Sequence, residues 1–139
     1  MSLLAAASWA ALSASAWQPT PPATDADRFA LIAYPGAREF CAGHVMGPPA
    51  AGRPGPSILW AAYATPDLPA KVVDHFHRAL GREPHRREDR RDTWRLPTDR
   101  PERVVDVAAV ADAVLEPSCQ RPPASTATVI VMSTMVRPR

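Results

Sequence analysis

Cys41 and His44 stand three residues apart, a spacing that can serve a thiolate and imidazole nucleophile, or a metal site if Cys119 joins them. The set lacks the doubled Cys-x-x-Cys or His-x-x-x-His spacing of structural zinc sites, so no metal is expected. Oxidation is the simpler chemistry. Cys41 and Cys119 are the only cysteines, an even count, and a single disulfide between them is the economical reading. In the chain-entropy model, closing that loop destabilises the unfolded chain by about 4.5 kcal/mol. Asp74 and His77 fall within one helical turn and form a second catalytic candidate, but no serine or activated cysteine stands near them. His75 and His77 point about 200° apart on a helix, cannot share a metal, and are both expected on its solvated rims. The richest cationic stretch is Arg82 to Arg95. Within it Arg86, Arg87, Arg90 and Arg91 are the candidate anion-binding residues, yet six arginines meet four carboxylates there, so ion pairing inside the segment competes with phosphate or polysaccharide. Trp94 beside Arg95 can stack on a sugar or base, or fill a core. The chain has no GxxxxGK[ST], HExxH, GxSxG or GxGxxG, which removes the usual sequence support for nucleotide hydrolysis, zinc-protease and α/β-hydrolase chemistry. No cofactor is expected.

The chain that must position these groups has 139 residues, enough for one domain and not for two separate cores. Its net charge of +2 fits neither a polybasic nucleic-acid binder nor an acidic tail, so no specific nucleic-acid partner is expected. Aromatics are only 6% and alanine dominates the hydrophobic class, so few large side chains must build the core. The first stretch reads as an address. Residues 1–16 are uncharged, their apolar centre from Leu3 to Leu12 is too short for a membrane span, and Ala14-Ser15-Ala16 has the small-x-small form of a cleavage site. A signal peptide lacking a basic start, over residues 1–16, implies a periplasmic or secreted product. The alternative is a retained first helix with Trp9 and Trp17 packed on the domain. Residues 17–28 read as a flexible linker and residues 29–139 as the folded domain. After Trp17 no apolar run is long enough to cross a membrane.

Within that domain, Tyr34-Pro35-Gly36 marks a turn and the alternation after it predicts a strand over Arg38 to Met46. Gly47 to Pro56 reads as a loop, and Ser57 to Ala64 as a buried strand. Thr65-Pro66-Asp67 predicts a capped helix start, Pro69 its first turn and Gly81 its end. Leu68, Val72, Phe76, Ala79 and Leu80 form its apolar stripe, opposite Lys71, Asp74 and Arg78. Arg82 to Leu96 reads as a polar hairpin whose second strand buries Trp94. The β-branched residues favour strand over helix for Val104 to Ala109, and Thr126 to Val136 is the best strand of all. One helix packed on an antiparallel β-sheet, an α+β single small domain, follows.

The Tyr34-Pro35-Gly36-Ala37 turn, Thr65-Pro66-Asp67, the Leu80-Gly81 helix end, Trp94, the two cysteines and the valine-rich last strand together resemble small exported proteins of unknown function from GC-rich bacteria such as myxobacteria. The resemblance runs from about Tyr34 to Arg137 and implies a fold and an exported location, with no activity, cofactor or catalytic residue attached. The functional expectation is a non-catalytic binding or structural module of the bacterial envelope, meeting a partner protein or envelope component through its hairpin and loop surface. The alternatives are a small hydrolase using His77 with Asp74, or Cys41 with His44, and a polyanion-binding module built on the Arg82 to Arg95 hairpin.

Overall fold

The computed structural model describes residue 29 and residues 31–96 and 102–136. The predicted signal segment and linker, residues 1–16 and 17–28, lie outside the described residues.

Nine residues from Arg38 to Met46 form β1 and nine from Ser57 to Thr65 form β2, with Gly47 N–H donating to the Pro56 carbonyl where the intervening loop closes. The helix α1 runs Pro69–Leu80, followed by β3 (Arg86–Glu88), β4 (Arg91–Leu96), β5 (Glu102–Ala109), a single 3-10 turn (Val110–Asp112) and β6 (Thr128–Val136). All pairings are antiparallel, and the strand order across the sheet is β1-β2-β6-β5-β4-β3. The last strand in sequence therefore lies inside the sheet. That position suits it: Thr128, Val129, Ile130, Met132 and Thr134 are all buried, and a strand covered on both faces needs the β-branched run this one has. The α+β expectation holds, with one helix against one antiparallel sheet.

Alternation along the strands sorts side chains onto two faces. One face carries Ala61, Tyr63, Trp94, Val105, Val107, Ile130 and Met132, and meets Val72 and Phe76 of α1 together with Phe29, Leu31 and Tyr34. Few large side chains suffice because they meet at one place. Trp94 is wholly buried, its ring centroid 5.8 Å from that of Phe76, and its indole N–H donates to the Arg82 carbonyl at 3.1 Å. Trp94 is thus a core residue and is not placed to stack on a sugar or base.

The helix start departs from the sequence expectation. Pro69 is the first helical residue, the extended Leu68 precedes it, and no side chain caps the end. The reason is that both expected capping groups are engaged elsewhere. Thr65 Oγ1 accepts from the Asp67 amide, and the Asp67 carboxylate is taken by Tyr34 and Lys71. Leu68 lies outside the helix and is 70% exposed, while Ala79 is also exposed, so the apolar stripe runs through Val72, Val73, Phe76 and Leu80. Gly81 ends α1 in the left-handed conformation as expected.

The second face of the sheet has a different cover. The connection from β5 to β6, residues 110–127, passes over it, so that Ala113 and Val114 lie against Ala108, Val129 and Val131. It reaches Cys41 on β1 through Cys119, with the two Cα atoms 5.5 Å apart in a disulfide. Cys41, Ala62, Val131 and Asp106 occupy one rung across four strands, so the connection is a strap crossing most of the sheet. Its return is fixed by the Ala127 amide donating to Thr65 and the Val110 amide donating to Ala127.

Candidate functional site

The disulfide decides the chemistry of Cys41. Its sulfur is bonded to that of Cys119, so no thiolate is available to attack or to bind a metal. His44 is not its partner. A spacing of three on a strand sends side chains to opposite faces: Cys41 stands on the strap side with Ala62, and His44 on the helix side with Leu59.

His77 and Asp74 also part company. His77 Nε2 lies 3.1 Å from Glu83 Oε1, while Asp74 Oδ2 takes Arg78 at 2.8 Å. Both pairs are exposed, and the His77 and Asp74 dyad does not form. His75 corrects the expectation of two solvated rim histidines. It is half-buried, edge-on to Tyr34 with centroids 5.0 Å apart and to Phe76 at 5.3 Å, and its Nε2 has no hydrogen-bond partner. The cause is that the chain around Tyr34 covers this rim of α1, which sequence periodicity does not show. Among the described residues, no three His, Cys, Asp or Glu side chains gather as a metal site.

The arginine hairpin forms as expected from β3 and β4, and its charges find each other. Arg87 reaches Glu83 at 2.5 Å and Asp92 at 3.3 Å. Arg86 lies 3.7 Å from Glu88, Arg90 3.8 Å from Asp112 and Arg91 3.9 Å from Asp89. These are surface pairs of small individual energy; those of Arg87 are the close ones, and Arg91 Nε is buried without a hydrogen-bond partner. The four candidate residues do not converge. Arg87 lies on the helix side with Asp92, Arg91 on the strap side, and Arg90 in the turn. Arg91 edges a shallow cleft of about 40 Å³ between strap and sheet, with Asp106, Ala108, Val114 and Val131 among its other walls.

Two features went unread in the sequence. The first joins motifs 33 residues apart: the Tyr34 hydroxyl donates to Asp67 Oδ2 at 2.6 Å, Lys71 donates to Oδ1 at 3.0 Å, and Thr128 Oγ1 donates to the Asp67 carbonyl at 2.6 Å. This network ties the chain before β1, the entry to α1 and the central strand into one unit. Burial and the neighbouring carboxylate push the Tyr34 phenol up to about 12, while the Tyr34 hydroxyl, and then Lys71, hold Asp67 below the usual carboxylate range.

The second feature is an apolar corner. At the end of the sheet that neither strap nor helix covers, Val45 is 46% exposed, Met46 62%, Ile58 36% and Leu59 39%. Val45 and Ile58 share a rung on the strap side, whereas Met46 and Leu59 stand on the helix side, so the corner is apolar on both faces. Alanine-rich composition concealed it, because a short apolar run reads as buried strand. Single exposed apolar residues are ordinary; here two pairs of them stand back to back beside a sheet edge.

Among the described residues, no helix is long and apolar enough to cross a membrane. No family model matches this chain, and neither does any curated protein or solved structure.

Proposed function

We propose that this chain is an exported, non-catalytic binding module of the bacterial envelope that engages a partner protein along the β1 side of its sheet. The apolar corner formed by Val45, Met46, Ile58 and Leu59 carries this reading. Among the described residues, it is the exposed apolar group that lies beside a long strand edge. The disulfide supports an oxidising compartment, since such bonds persist outside the cytoplasm and are uncommon within it. The apolar start of the chain, with its small-x-small site, and the resemblance to exported bacterial proteins point the same way. The engagement of Cys41 in a disulfide and of His77 with Glu83 favours binding over hydrolysis.

Site-directed photo-crosslinking in the envelope tests the reading. A crosslinking residue replacing Ile58 is expected to capture a protein, the same residue replacing Arg90 on the far hairpin is not, and Leu59→Lys is expected to abolish capture. Capture from the Arg90 position alone would overturn it. So would turnover of ester, phosphate, glycoside or peptide substrates that is lost on His77→Ala or His44→Ala.

A further inference from the structure

The two edges of the sheet are built differently. β3 has only three residues, Arg86-Arg87-Glu88, all exposed and all charged, and it runs into a turn in which Asp89 and Arg90 have positive φ. Short charged edges resist pairing with another strand. β1 has such protection only at its start, where Arg38 and Glu39 are charged and exposed and the register shifts before Cys41. It is nine residues long, and from Phe40 to Met46 it carries no Asp, Glu, Lys, Arg or Pro. One side of it bonds β2 along its length, with an irregularity between Glu39 and Cys41 that leaves Cys41–Met46 as the regular stretch. Among the described residues, no main-chain partner lies on the other side of Cys41–Met46. In an antiparallel ladder that open side presents a row of N–H and C=O groups ready to pair.

We infer that this edge pairs with the same strand of a second copy, antiparallel about a twofold axis, so that two sheets become one. The inference rests on the β1 side being the binding surface and names its occupant. Self-complementarity argues for a copy. Any register that lays Cys41–Met46 against itself opposes only uncharged or histidine side chains, so no like-charged carboxylates, lysines or arginines face each other. The twofold arrangement also keeps both helices on one side, which brings the Met46 and Leu59 group of each copy beside the seam on the helix side, and Val45 and Ile58 beside it on the other. The association stops at two. Head-to-tail growth would pair β1 with β3, which offers three charged residues and no apolar flank.

Sedimentation equilibrium on the full chain with its disulfide formed tests this. The expected result is twice the single-chain mass at high concentration, falling toward the single-chain mass on dilution. Amides in Cys41–Met46 are expected to exchange more slowly as concentration rises. Ala42 is exposed, so Ala42→Lys sets lysines near each other across the seam without touching the core, and is expected to give monomer with unchanged circular dichroism. Val45→Lys is the second variant, and Arg87→Ala on the opposite edge is expected to leave the dimer intact. A single-chain mass at every concentration, or a dimer indifferent to both lysine variants, would overturn the inference. A monomer whose Ile58 crosslinker still captures another envelope protein would remove the second copy and leave the binding reading standing. A monomer that captures nothing would remove both.

Discussion

Tyr34 and Asp67 show how a single hydrogen bond can couple fold to pH. The ionised Asp67 is favoured in the folded chain, so its contribution to stability is complete above the ordinary carboxylate range and is lost as pH falls through its lowered folded value. Tyr34 works in the opposite direction. Its folded value of about 12 lies above the ordinary 10.0, so its contribution is complete below pH 10.0 and fades as pH climbs towards 12. Tyr34→Phe is expected to lower stability by about 1 kcal/mol in denaturant titrations at neutral pH. Absorbance titration should show the Tyr34 phenol ionising well above pH 10.0, and Asp67→Asn should bring that transition down; a titration that Asp67→Asn leaves unchanged would contradict the network. Gly43 supplies a second residue-scale test. A Cβ built there falls 2.9 Å from a ring carbon of Trp60, so the indole lies across the glycine and Gly43→Ala is expected to cost about 1 to 3 kcal/mol through overpacking. The Tyr-Pro-Gly turn and the Thr-Pro-Asp motif were both visible in the sequence. Their meeting was not, because local patterns carry no signal for a contact spanning 33 residues.

Element boundaries follow local chemistry closely. β1, β2 and the C-terminal end of α1 lie where proline, glycine and alternation place them, and β5 is a strand, as its β-branched residues favour. The helix start departs from the local pattern because the Thr65 hydroxyl accepts from the nearby Asp67 amide and the Asp67 carboxylate is taken by the distant Tyr34. Sheet order was not legible. β6 inserts between β2 and β5, and nothing local distinguishes that from a terminal hairpin with β5 alone. The turn between β3 and β4 makes a prediction at this scale. Asp89 and Arg90 both adopt positive φ, with Glu88 paired to Arg91, which is the geometry of a two-residue hairpin turn that favours glycine second. Arg90→Gly is therefore expected to raise stability by about 1 kcal/mol, by relieving left-handed strain at the loss of a loose surface pair with Asp112. An unchanged or lowered denaturation midpoint would argue against that turn.

At the scale of the whole molecule, the disulfide links a sequence separation of 78 residues and anchors the strap to the edge strand on the far side of the sheet. The pairing was legible because two cysteines leave one choice, but the crossing it secures was not. The strap shelters one end of its face, where Ala62, Ala64, Ala108 and Val129 are buried, and leaves the Val45 and Ile58 end open. Replacing both cysteines by alanine is expected to lower stability by about 2 to 4 kcal/mol, measured against the oxidised chain. An exported module of this build carries the staple in the compartment where it works. Non-reducing peptide mapping of protein recovered from the envelope tests that most directly. The expected result is one linked peptide pair containing Cys41 and Cys119, with an N-terminus beginning after Ala16. Two free thiols on a chain that keeps residues 1–16 would contradict it.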